Sequence, residues 1–417
     1  MVPVPNIDAL AGIGCYCTNF RGVGGSIKRQ PSGFVVSEIA FESLSTGISK
    51  DYDSRHRYPL FVLEKQGIDS NHALIELERE AGLRLKVMGI KDAKAVTKQY
   101  ASLVRPEPRP PAKVRTKHST LTFQGFAAKP VSKDQLAGNA FRVELYDAPR
   151  RDLDDFEGEI DRIANFYGLQ RFGSERLVSH LVGRELVRRN FEKAIELLLT
   201  HTTDYDSAFS REIREQMRDS NNYSRIVNAL PIAMDIERSL LYSLIDRKDA
   251  RSALRAIPVM IRRLFVQAYQ GFIFNKCITM CLSSGDDVTH PNGGDLVFEM
   301  DGEMGFGRIV RFESGTRRTF VPAASLPGYS FQRRSGRFEK ATEAIMKEEG
   351  VSPKDFYIKE MDELSQQGGY RQAPLWCKGF AHNTEPQVVS FRLPKGSYAT
   401  ILLREIMKPT DPIKSGF

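Results

Sequence analysis

The chain has little of what would build a metal site, a disulfide scaffold or a membrane span. Its 417 residues hold five cysteines, an odd number, at Cys15, Cys17, Cys277, Cys281 and Cys377. None forms a C-x-x-C pair, and no histidine stands at the spacing that would complete a zinc site. The seven histidines are scattered (His56, His72, His118, His180, His201, His290 and His382), so no metal is expected and the thiols are expected reduced and mostly buried. No run of eighteen apolar residues occurs, which excludes a membrane-spanning helix. Residues 1–8 (MVPVPNID) carry neither a basic leader nor an apolar signal core. A cytoplasmic location is the resulting expectation.

What is present is an ordinary globular balance, 41% hydrophobic and 27% charged, in a chain long enough for two or three domains. Sixty Lys and Arg against 52 Asp and Glu leave a net charge of +8, which suits a polyanionic partner. Residues 1–172 have a mixed α/β pattern. A strand is expected over 34–39, and a helix over 70–81 with Asp69 or Ser70 as its cap and Gly82 as its stop. Residues 104–118 form a proline-rich basic connector, expected extended and solvated. Phe141, Val143 and Leu145 alternate with polar neighbours as in a half-buried strand. From residue 174 long helical periodicities take over, including 232–245 and 253–282, followed by a glycine-punctuated β-like stretch at 294–322. Alternation returns at 387–393 and leads into a closing helix over 398–407, with Ser397 a candidate cap.

The most specific stretch is Gly89-Ile90-Lys91-Asp92-Ala93-Lys94-Ala95-Val96-Thr97-Lys98-Gln99. It sets one carboxylate between two lysines just after a short apolar run, where a strand end can present a side chain to a ligand. The plainer alternative is that Asp92 caps a helix beginning at Ala93. This G-x-K-D-x-x-A-x-T-x-Q pattern resembles the catalytic signature of the TruD family of tRNA pseudouridine synthases. Four other segments resemble that family's blocks in order: residues 28–38 (KRQPSGFVVSE), 138–141 (GNAF), 165–173 (NFYGLQRFG), and 391–400 (FRLPKGSYAT) followed by Leu403-Arg404-Glu405. Two departures stand out. Gly33 occupies a usually acidic position, and Phe166-Tyr167 inverts the usual Tyr-Phe order.

The resemblance implies an α/β (α+β) fold: a pseudouridine-synthase core with a mixed, mainly antiparallel sheet, interrupted by a largely helical α+β insertion domain. Residues 1–172 and 366–417 would form the catalytic domain and 173–365 the insert; a string of three domains is the competing arrangement. The implied activity is isomerisation of a tRNA uridine, at uridine 13 of the D-arm. That reaction breaks the C1′–N1 bond and rejoins the base through C5, with no redox step or external group, so no cofactor is expected.

Asp92 would supply the carboxylate, as nucleophile on C1′ or as base at C2′. Lys28 would pair with it, with Arg29 as runner-up and Lys91 weaker, since neighbours in an extended segment point apart. Phe141 would stack on the extruded uracil, although its alternation also suits a core residue. Asn139, two residues earlier on the same face, would orient Asp92 or the base. Gln170 and Arg171 could touch RNA, and Tyr398 would be a wall or second stacking surface. Arg308, Arg311, Arg317, Arg318, Arg333, Arg334 and Arg337 of the insert would line a tRNA cleft. The partner is then tRNA, with no membrane and no metal; a monomer is compatible with the pattern. The alternatives are an isomerase acting on another RNA site and an RNA-binding or tRNA-folding protein. A DNA-binding protein lacks a visible helix-turn-helix or zinc motif.

Overall fold

The computed structural model describes residues 2–149, 153–231, 234–247, 249–313, 319–332 and 335–417. Its first eight strands are β1 (Phe34–Ala40), β2 (Ile48–Ser49), β3 (Tyr58–Lys65), β4 (Leu85–Val87), β5 (Val96–Leu103), β6 (Lys113–Arg115), β7 (Ser119–Ala127) and β8 (Leu136–Glu144). Four more follow the helical region: β9 (Leu296–Asp301), β10 (Gly305–Arg311), β11 (Phe320–Leu326) and β12 (Gly369–Gln372). The last two are β13 (Lys378–Thr384) and β14 (Gln387–Pro394).

Ten strands join in one sheet, ordered β13-β14-β8-β1-β5-β3-β7-β2, with β4 beside β5 and β6 beside β7. Among the described pairs only β1–β5 is parallel, so the sheet is mixed and mainly antiparallel. β14 lies against β8 with Phe391 opposite Phe141 and Leu393 opposite Asn139. The chain's last fifty residues therefore complete the sheet begun by its first hundred. The second sheet runs β10-β9-β11-β12, which draws residues 369–372 to β11.

The helix Ser70–Ala81 forms as its ends dictate. Asp69 caps it by accepting from the Asn71 and His72 amides, and Gly82 ends it at φ 67°, a left-handed turn that glycine adopts without strain. Leu77 of this helix packs on Phe61, Leu63, Ala101 and Leu121 of the sheet. Two sequence expectations fail nearby. No helix starts at Ala93, because the residues that follow, Val96 to Leu103, form β5 in the sheet. The connector at 104–118 is not wholly a loop, since Lys113–Arg115 pairs with β7 as a short edge strand.

Between the sheets lies a helical region with its own core, built from Val182, Leu186, Leu198, Leu241, Leu254, Val266 and their neighbours. The single helix expected over 253–282 is two, Ala250–Arg255 and Val259–Ser283, because Pro258 lacks an amide donor and restricts the residue before it. The expected 232–245 helix is Asp235–Arg247; residues 232–233 lie outside the described set. Of the five cysteines, Cys277 and Cys281 are buried and the other three half-buried, all with free thiols. Among the described residues no helix is long and apolar enough to cross a membrane.

The closing helix Ala399–Met407 is buried along its length. Arg404 reaches Asp8 at 2.6 Å, and Glu405 accepts from the Cys17 and Thr18 amides. This buried ionic cluster ties both ends of the chain together.

Candidate active site

The site is built on a loop with almost no freedom. Residues 88–95 connect β4 to β5, and four side chains from separate elements hold it. Gln99 donates to the Gly89 carbonyl at 3.2 Å, and the Ser70 hydroxyl accepts from the Lys91 amide at 2.8 Å. Lys65 donates to the Asp92 carbonyl at 2.9 Å. Lys91, which also borders the cavity described below, pairs with Glu38 of β1 at 2.6 Å, with both side chains buried. Asp92 is thus left projecting while its backbone is anchored, and its exposed side chain caps no helix.

Asp92 opens onto a cavity of about 310 Å³, at the small end of the ligand-site range of about 300–1,000 Å³. Lys28, Phe34, Thr97, Asn139, Phe141, Gln170, Ser397, Tyr398 and Thr400 also line it. A larger groove of about 770 Å³ lies among the helices near Ile195 and Leu244, but it is far in sequence from any of the motif segments.

Lys28 is half-buried at φ 58°, a left-handed conformation that costs a non-glycine residue strain and clusters at functional sites. Its ammonium sits 5.0 Å from the Phe34 ring centroid. Burial lowers its pKa, the Asp92 carboxylate opposes that shift, and Lys94 adds to it. Lys28 is therefore a desolvated cation within the field of Asp92, although the two form no direct ion pair. Arg29, the runner-up, instead pairs with Asp147 and lies over the Tyr146 ring.

On β8, Asn139 and Phe141 face the cavity together, as their spacing of two requires. Phe141 stacks on Phe391 with centroids 5.2 Å apart and meets the edge of Phe34, so one ring serves both core and cavity wall. Gln170 reaches the cavity and accepts from the Thr400 hydroxyl at 3.2 Å. Arg171 does not line it. Its guanidinium lies over Tyr167, 5.3 Å from the centroid, because the short 3₁₀ turn Leu169–Phe172 sends adjacent side chains to different sides. Tyr398 lines the cavity and is itself the residue before the closing helix; Ser397 makes no cap.

Three polar oxygens in this wall are buried without a hydrogen-bond partner among the described residues: Thr97 Oγ1, Asn139 Oδ1 and Ser397 Oγ. These three oxygens leave hydrogen-bonding capacity in the cavity wall that the protein itself does not use. Burial also pushes the Glu38 carboxyl up and the Lys65 ammonium down to about 8, against the opposing pull of Lys91 on the first and of Asp69 and Asp92 on the second.

Sequence reasoning missed Lys65, Ser70 and the orphaned hydroxyls. The one available signal was Lys65 itself, a lysine in phase with the buried Phe61 and Leu63 of its strand. Of the arginines expected to form an RNA cleft, Arg308 is exposed beside Glu299. Arg337 is consumed internally by Asp295 and the Asp287 and His290 carbonyls. Arg317, Arg318, Arg333 and Arg334 lie outside the described residues.

The family model of tRNA pseudouridine synthase D (TruD) matches residues 10–406. A "Probable tRNA pseudouridine synthase D" of Pyrobaculum islandicum is 31% identical over the full length of both chains. The Methanosarcina mazei relative of the same name is 29% identical, covering 97% of this chain and 98% of its own. A crystal structure from Methanosarcina mazei, named for that family, superposes with a TM-score of 0.77 at 28% identity, covering 99% of this chain and all of the other. A match of this extent, to family, relatives and fold alike, establishes that the chain belongs to the TruD family of tRNA pseudouridine synthases.

Proposed function

We propose that the chain isomerises uridine 13 in the D-arm of tRNA to pseudouridine, with Asp92 as the catalytic carboxylate. The observation that carries this reading is the gathering of Lys28, Asp92, Asn139, Phe141, Gln170 and Tyr398, from five separate segments, around one cavity. The ionised Asp92 either adds to C1′ or removes the C2′ proton; in both cases the C1′–N1 bond breaks, the uracil turns, and C5 bonds to C1′, with the C5 proton lost and N1 left protonated. Lys28 sets a positive charge on the wall of the same cavity. Phe141 offers a ring face to the extruded base, a contact worth about 1–3 kcal/mol, against an unstacking cost of a few kcal/mol.

The amide of Asn139 and the hydroxyls of Thr97 and Ser397 are suited to the O2, N3–H and O4 edge of uracil, which offers two acceptors and one donor. In this reading the insert spans 173–365, with β12 just beyond it completing its sheet. Mapping new pseudouridines by carbodiimide-dependent primer extension on unmodified tRNA transcripts tests the substrate assignment. A single new stop at uridine 13 is expected. A stop at another uridine would move the target and keep the reaction, and binding of tRNA with no stop anywhere would replace the isomerase by an RNA-binding protein.

A further inference from the structure

Lys65 ends β3 on its inward face and is 2% exposed, as buried as a core leucine. Its ammonium donates to two backbone carbonyls, Ile68 at 2.8 Å and Asp92 at 2.9 Å, and it forms no ion pair with a carboxylate among the described residues. Burying a charge on such terms is costly. A leucine in phase with Phe61 and Leu63 would fill the strand end more cheaply, so the charge itself needs a use. The site provides one. The ammonium grips the main chain of the residue whose side chain faces the cavity, and Asp92 lies within its electrostatic reach.

We propose that Lys65 is a positioning residue for Asp92, holding the loop so that the carboxylate enters the cavity. This rests on the assignment of Asp92 as the catalytic carboxylate. The remaining charges around the pair are accounted for. Asp69, at the start of the next helix, and Lys91 act on Lys65, while Asp92 and Lys94 act on Lys28. Lys91 is neutralised by Glu38. Removing Lys65 therefore removes the side chain that grips the backbone of Asp92.

The test uses the full chain with Lys65→Met and Lys65→Gln, measuring single-turnover pseudouridine formation on a tRNA transcript together with tRNA affinity. The expected result is a rate lowered about 10- to 100-fold in Lys65→Met, as misplacement of a reacting group by an ångström produces, with affinity within about twofold of wild type. Gln can still donate a hydrogen bond, so it should recover part of the rate. An unchanged rate overturns the proposal, as does a lowered rate matched by an equal loss of affinity, or one that Gln does not recover at all. Loss of fold in both variants, seen as loss of both circular dichroism and tRNA binding, makes Lys65 a structural residue only and likewise overturns it. Failure of the underlying reading is separable: wild type would then modify no tRNA, or Asp92→Ala would retain full activity.

Discussion

Glu38 and Lys91 give the sharpest stability prediction. Glu38 is fully buried at its side chain and Lys91 is 10% exposed, at a separation of 2.6 Å. Glu38 also accepts from the Tyr100 amide at 2.9 Å. Replacing Glu38 by Ala strands a buried ammonium, for which breaking such pairs costs about 3–5 kcal/mol, and orphans an amide, for about 1–3 kcal/mol more. The two losses share one site and will not add in full, so about 4–6 kcal/mol is expected. Glu38→Gln has one acceptor oxygen where the carboxylate uses two, and it leaves the ammonium without a counter-charge, so it should cost nearly as much, about 3–5 kcal/mol.

Burial outweighs Lys91 in setting the Glu38 pKa, which is raised, so the charge is itself a burden. The double variant Glu38→Leu/Lys91→Leu should accordingly recover much of the loss. The raised pKa also sets a sign. The folded chain binds more protons than the unfolded one between the ordinary and the raised value, so the contribution of this group is present below that window and lost as pH rises through it. Denaturant unfolding of the four proteins, with wild type across mildly acid pH, measures all of this. A cost below about 1 kcal/mol for Glu38→Ala, or a double variant worse than either single one, would refute the reasoning.

Other predictions concern the cavity and its surroundings. A Cβ at Gly33 would lie 2.1 Å from the Tyr146 hydroxyl, so Gly33→Ala should destabilise by about 1–3 kcal/mol, and Tyr146→Ala in the same chain should relieve it in thermal unfolding. The Tyr146 hydroxyl fills the space that a side chain at this position would need. Phe141→Leu should retain most of the packing on Phe391 but lower kcat/KM about 5- to 150-fold through lost stacking, whereas Phe141→Tyr should stay near wild type; equal losses in both would argue against a stacking role. The logarithm of the tRNA binding constant should fall linearly with the logarithm of salt concentration, with a steep slope by filter binding; a flat dependence would exclude an electrostatic cleft.

Much of the architecture was legible because it rests on local rules. The helix Ser70–Ala81 announces its cap and its glycine stop. β14 alternates over residues 389–393 in sequence as it does in burial, and it pairs with β8. Failures arose where tertiary context outweighs local preference. Ala93, Lys94 and Ala95 are good helix formers, yet β5 takes the following residues into the sheet. Ser397 has the right residue type for a cap, but the helix begins one residue later and its hydroxyl is left facing the cavity wall.

At the site, the motif placed Asp92, Asn139 and Phe141 on one cavity, while the side chains that hold the loop came from distant strands and helices. Spacing carries no record of Lys65 meeting Asp92 across 27 residues, or of Glu38 meeting Lys91 across 53. Gln170 and Arg171 are equally polar neighbours, and only the turn that contains them decides that the first faces the cavity and the second stacks on Tyr167.

The most direct test of the central claim is pseudouridine formation by purified wild type and Asp92→Ala on the same unmodified tRNA transcript, with tRNA binding measured in parallel. The account predicts a modified D-arm uridine with wild type only, and binding by both proteins. Modification by Asp92→Ala at the wild-type rate would contradict it and place the catalytic group elsewhere in the chain.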